Sequence, residues 1–243
     1  MTGSVARPSL PEAVAATSGE YRWILLWRWP LRLTHWVSAA CIVVLSVTGF
    51  YIANPYFSTW GEASSHFLMG WARFLHFTAA AVIVGAMIIR VYWLFAGGRY
   101  ASWRALLPVH RRDWKNLMKM LRYYFLVKQE EMPHYLGHHP LQQLSYTAIY
   151  ALVLIHVLTG FGMYGMSNPG GLIHSLFSWV GPAFGGIQYA RFWHHILTWV
   201  LVAFIPLHVY LAFRADVMDQ EGEMSSIFSG GRFVRANIKF EDE

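Results

Sequence analysis

The sequence carries one cysteine, few charges and no acidic residue in any of its long apolar runs. Cys41 alone cannot build an iron–sulfur cluster, an internal disulfide or the C-x-x-C-H attachment of a c-type haem. A proton or metal transporter, the alternative from another class, would need carboxylates in mid-membrane. Charged residues make up 13% of the 243 positions and hydrophobic ones 56%, too apolar a balance for an ordinary soluble domain. The formal charge of +6 comes from basic residues that flank apolar runs. That pattern points to membrane lipid as a partner and excludes nucleic acid. Twelve histidines and ten methionines remain as soft ligands, so a bound metal group would be held by non-covalent ligation.

A membrane span needs about 20 mostly apolar residues. Four segments meet this: 31–53, 71–96, 141–166 and 190–214. Each should be helical, because backbone exposed to lipid must satisfy its own hydrogen bonds. The connections alternate in charge. Arg7, Arg22, Arg28 and Arg32 lie at the N-terminal flank. Arg99, Arg104, Arg111, Arg112, Lys115, Lys119, Arg122 and Lys128 fill the loop 97–140. Arg214, Arg232, Arg235 and Lys239 lie at the C-terminal flank, and the other two loops carry no Lys or Arg. The excess of positive charge on cytoplasmic loops then predicts both termini in the cytoplasm. The expected fold is an all-α membrane protein, a four-helix transmembrane bundle over 23–218. A disordered cytoplasmic tail (1–22) precedes it and a cytoplasmic tail (219–243) follows. Within the long loop, Trp114, Leu117, Met118, Leu121 and Phe125 share one helical face with basic residues opposite. This predicts an interfacial helix on the inner leaflet.

Ionisable groups inside a bilayer are costly and point to function. His194 and His208 are 14 residues apart in the fourth span, within about 40° of whole turns, so they share a face roughly 21 Å long. His195 falls near the opposite face. His35 lies roughly 6 Å inside the cytoplasmic start of the first span, and His208 roughly 9 Å from the cytoplasmic end of the fourth. His76 and His194 match in depth near the other surface. Two pairs result, His35 with His208 and His76 with His194. Two axial imidazoles saturate a haem iron and favour electron transfer over oxygen chemistry. A single mid-span histidine such as His156 reads instead as a hydrogen bond to a neighbouring helix. Thr48, Gly49, Thr159, Gly160, Gly162 and Gly165 present low-profile faces, suited to a flat macrocycle or to close helix packing. Pro206 should bend the fourth helix just before His208. Arg73, Arg90 and Arg191 are candidate propionate partners, with snorkelling to the interface an equal reading for Arg90.

The stretches RWPLRLTHW, VTGFYI, GEASSHFLMGWARFLHF, RVYWLFAGGRY, LGHHPL, TGFGMYG, WHHILTW and HVYLAFRADVM together resemble the b-type cytochrome subunit of membrane-bound nickel–iron uptake hydrogenases. The resemblance covers nearly the whole chain after about residue 22. It implies two b haems held at His35, His208, His76 and His194 in a bacterial cytoplasmic (inner) membrane. It also implies a partner on the outer face, the small iron–sulfur subunit of a hydrogenase with its large subunit. This chain would anchor them and pass their electrons to quinone. Related cytochromes reduce quinone where the long loop enters the third span, which points to Tyr135, Gly137, His138 and His139. Where the family commonly has Gly-His-Asn-Pro, this chain has Gly137-His138-His139-Pro140. Sister cytochromes of formate dehydrogenase or thiosulfate reductase share the plan, but RVYW…GGRY and GEASSHFLMG favour hydrogenase.

Overall fold

The computed structural model describes residues 14–18, 21–57, 59–126 and 133–242. In chain order the elements are β1 (Val14–Ser18), β2 (Tyr21–Leu25), α1 (Trp29–Ala53), α2 (Leu68–Ala96), α3 (Arg111–Leu126), α4 (Pro140–Gly165), α5 (Leu172–Phe177), α6 (Val180–Ala183), α7 (Ile187–Asp219), α8 (Glu223–Ser229) and β3 (Gly231–Arg235). Helices α1, α2, α4 and α7 are long and apolar enough to cross a membrane and coincide with the four expected spans. Only 6–22% of the most apolar window of each is buried by the rest of the protein, so most of each surface is left to hydrocarbon. The chain is a multi-pass membrane protein.

The chain divides into two compact units, and the division falls inside the long helices. One unit holds 34–89 and 148–208. Its helix backbones approach one another closely at few points. Cys41, Ala79 and Ile83 form a small core there, with Val37, Ile42, Leu45 and Val153 against it. Among the small residues, a Cβ on Gly162 would stand 2.9 Å from Val180 Cβ. One on Gly165 would stand 3.0 Å from His174 Cα. These two glycines let the 167–189 connection pack closely on α4. α7 runs through Pro206.

The other unit holds residues to 33, 90–147 and 209 onward, and here a small sheet accompanies the helices. β1, β2 and β3 form an antiparallel sheet in that order. Val14–Ser18, inside the segment predicted to lack order, is a strand. Residues 1–13 and 19–20 of that predicted tail lie outside the described residues. The C-terminal segment is folded as well. α8 is bracketed by Gly222 and Gly230, whose φ values of +73° and +95° favour glycine. Gly230 O accepts from the Leu26 and Trp27 amides at 2.9 and 2.8 Å. A core of Ile24, Leu26, Trp27, Leu136, Val234 and Phe240 ties both ends of the chain to the loop before α4. The buried pair Arg232–Glu221 (3.0 Å) lies in the same unit.

α3 (Arg111–Leu126) is a helix where one was expected. Asp113, Asn116, Leu117 and Met120 are buried, while Trp114 and Met118 are exposed. Asp113 is drawn inward because its Oδ2 accepts the His110 amide at 3.1 Å. Asn116 turns inward to donate to the Tyr135 hydroxyl at 2.8 Å. The side chain of Phe125, and Lys128, lie outside the described residues.

Candidate functional site

Within the 34–89 and 148–208 unit, α1 and α7 bring His35 and His208 to a ring-centroid distance of 6.4 Å. A metal–imidazole bond is about 2 Å, so two imidazoles sharing one ion would have centroids roughly 6 Å apart. The other predicted pair comes from α2 and α7. His76, His156 and His194 are close enough to act on one another electrostatically. His156 packs edge-on against His194 at 5.0 Å and reaches Thr198 at 3.3 Å. The Nε2 contact with Thr198 of α7 is the helix-to-helix role expected of it, while its Nδ1 lies 2.9 Å from the Leu152 carbonyl of its own helix. His195 points elsewhere, between Phe50 at 5.8 Å and Trp199 at 6.5 Å.

Two residues first read as low-profile surface hold the histidines. Thr48 Oγ1 lies 3.0 Å from His76 Nδ1, and Thr159 Oγ1 lies 2.9 Å from His194 Nδ1. Each threonine is followed by a glycine against the same ring. A Cβ on Gly49 would meet His76 Cε1 at 3.3 Å, and one on Gly160 would meet His194 Cε1 at 3.5 Å. The signal in the sequence was the tripeptide Thr-Gly-Phe, present at 48–50 and again at 159–161. The first of these glycine distances is tight and the second ordinary. Gly49→Ala should therefore displace the His76 ring and weaken haem retention, while Gly160→Ala should bind like the wild type. Haem-to-protein ratios of the two purified variants check this.

These residues fit the implied cofactor. The donor set is imidazole only, each member comes from a spanning helix, and one pair has the spacing of a shared metal ion. Arg90 is buried, and its Nη1 donates to Ala101 O at 3.0 Å. Arg73 and Arg191 are exposed, and Arg191 Nη1 donates to Gln188 Oε1 at 3.3 Å. His66 and His174 make local loop contacts: Ser65 Oγ lies 3.0 Å from His66 Nδ1, and His174 Nδ1 accepts from the Gly170 amide at 3.3 Å.

In the other unit, the loop proposed for quinone is bound by the C-terminal segment. The Asp242 carboxylate accepts from the Leu136 and Gly137 amides at 2.7 and 2.8 Å. A Cβ on Gly137 would stand 2.8 Å from the Tyr100 ring, so glycine is required there. Burial pushes the Tyr135 phenol up, opposed by the hydrogen bond from Asn116. His138 is stacked on Trp27 at 4.7 Å and meets Tyr146 edge-on at 4.6 Å.

His139 is the N-cap of α4. Its Nδ1 accepts the Gln142 amide at 3.2 Å, and Gln142 Oε1 accepts the His139 amide at 3.1 Å. With Pro140 at the first helical position, this is a capping box built on an imidazole. Burial lowers its pKa from 6.5 to about 4. As pH falls, the opened chain takes up a proton near 6.5 but the closed cap only near 4. The cap is thus at full strength above 6.5 and weakens across that window. Hydrogen exchange at the Gln142 amide, corrected for intrinsic rate, should show protection falling between pH 6.5 and 4. His139→Asn keeps a good N-cap without a titrating group and should hold protection constant.

The model for prokaryotic cytochrome b561 matches residues 26–230. A probable Ni/Fe-hydrogenase B-type cytochrome subunit of Azotobacter chroococcum is 40% identical over 210 residues, covering 85% of this chain and 87% of that protein. The Cupriavidus necator protein of the same name is 38% identical over 224 residues, 91% of each chain. The probable Ni/Fe-hydrogenase 1 B-type cytochrome subunit of Escherichia coli K12 is 32% identical over 211 residues, covering 84% of this chain and 88% of that one. With its four apolar spanning helices, the chain belongs to the prokaryotic cytochrome b561 family.

Proposed function

We propose that this chain is a dihaem b-type cytochrome that anchors a nickel–iron hydrogenase to the bacterial cytoplasmic membrane and carries its electrons to quinone. The observation that carries the reading is the grouping of intramembrane histidines in two sets, His35 with His208 at 6.4 Å and His76 around His194. Bound there, haem supplies a one-electron ferric/ferrous couple. The chain's part is to hold each imidazole with Nε2 available, and to exclude water by burying the sites between helices. The names of the relatives support a nickel–iron hydrogenase as the partner, and its small subunit is assigned to the His76/His194 end on the outer face.

Quinone is assigned to the loop before α4. His138, between Trp27 and Tyr146, is the group there suited to hydrogen-bonding a quinone oxygen and passing it a proton. Burial keeps His139 neutral at pH 7, and its bond to the Gln142 amide gives it the part of fixing the loop. α3 is assigned to the inner-leaflet interface. Its exposed Trp114 and Met118 lie beside Arg111, Lys115, Lys119 and Arg122.

The test is to purify the chain from its native membrane in mild detergent. The proposal expects two b-type haems per polypeptide, hydrogenase subunits in the same fraction, and hydrogen-dependent quinone reduction that His138→Ala impairs. Absence of b haem would sink the cytochrome reading. Formate dehydrogenase in place of hydrogenase would overturn the partner.

A further inference from the structure

We propose that Thr48 and Thr159 are positioning residues that fix the tautomer of His76 and His194 by hydrogen bonds at Nδ1, and so hold the His76/His194 site at a lower potential than the His35/His208 site. The inference rests on the two-haem reading above.

The argument starts with the threonine proton. Thr48 Oγ1 donates to the Val44 carbonyl at 2.6 Å and Thr159 Oγ1 to the Ile155 carbonyl at 2.7 Å. This bond to the preceding turn is the usual one for a helical threonine. A hydroxyl has one proton, so toward the imidazole each oxygen can only accept. The nitrogen facing it must carry hydrogen. Both rings are therefore protonated at Nδ1, and Nε2 keeps its lone pair for a metal.

The arrangement occurs twice, on different helices. Thr48 of α1 serves His76 of α2, and Thr159 of α4 serves His194 of α7. Both threonines are buried, Thr159 completely, so water does not compete for these bonds. The His35/His208 site is built differently. His35 Nδ1 is buried and has no hydrogen-bond partner among the described residues.

A hydrogen bond accepted from the far nitrogen of a ligating imidazole makes that imidazole a stronger electron donor. Stronger donation favours the ferric state and lowers the reduction potential. Two such bonds at one site, and none at His35, slope the potentials from the His76/His194 site down in energy toward His35/His208. That slope drives electrons in the direction the proposed function requires.

A threonine that merely shapes its helix would leave the potentials alone, and the test separates the two roles. Thr48→Val and Thr159→Val keep the shape and remove the acceptor. Redox titration of the purified cytochrome should show one of two midpoint potentials raised in either variant and the other unmoved. Haem at that site should pass to an apoglobin scavenger about tenfold faster. Serine at either position should restore both readouts. Thr48→Ala and Thr159→Ala, which add no bulk, carry the same expectation if a valine variant fails to assemble. Two haems with unmoved potentials in the valine and alanine variants would overturn the inference alone. A wild-type protein lacking two b haems would overturn the two-haem reading, and this inference with it.

Discussion

His194→Ala is expected to remove one haem and leave the other. The haem-to-protein ratio should fall to about half, because bis-imidazole ligation fails when one axial ligand is lost. The surviving spectrum should be that of the His35/His208 site. His35→Ala or His208→Ala should do the converse. His156 does not replace His194, although its ring is only 5.0 Å away, because its Nδ1 already meets the Leu152 carbonyl and its Nε2 meets Thr198. His195→Ala is the control. Its ring sits between Phe50 and Trp199, and its loss should leave haem content unchanged. Pyridine haemochrome assays on the four variants make the comparison. A His195→Ala protein as poor in haem as His194→Ala would overturn the assignment.

Glu221→Gln is expected to be the most destabilising single change in the unit that holds the sheet. Glu221 and Arg232 are 4% and 5% exposed, and Arg232 Nη2 lies 3.0 Å from Glu221 Oε2. Arg232 also donates from Nη1 to the Leu136 carbonyl at 3.4 Å, so the pair links β3 to the loop before α4. Removing one partner strands a buried charge, at a cost of about 3–5 kcal/mol. Trypsin should then cleave after Arg232 under conditions where the wild type resists. Replacing both residues by leucine should restore most of the resistance, because a buried pair is often no more stable than apolar side chains of similar volume. Equal protection of Glu221→Gln and wild type would count against the pair as a fastening.

Much of the membrane part was legible because hydrocarbon enforces simple rules. A span must be apolar for about 20 residues and helical throughout, so the four helices could be placed from the sequence to within a few residues of their ends. The small sheet was not legible. β3 buries Arg232 and Val234 and exposes Phe233, so its pattern hides the strand until Glu221 is seen to neutralise the arginine. On α3, Asp113 and Asn116 go inward on polar bonds that periodicity does not reveal.

At the candidate site, the fixed 1.5 Å rise and 100° turn of a helix made the depth and phase of His35, His76, His194 and His208 calculable from position alone. What those numbers leave open is which nitrogen each ring presents, and what the neighbouring helix offers it. A threonine bonded to its own helix reads the same whether or not a histidine stands across from it. That the Thr48 and Thr159 hydroxyls face His76 and His194 was decided only by tertiary structure. Hydrogen bonds between helices depend on rotation and spacing, which no single helix encodes.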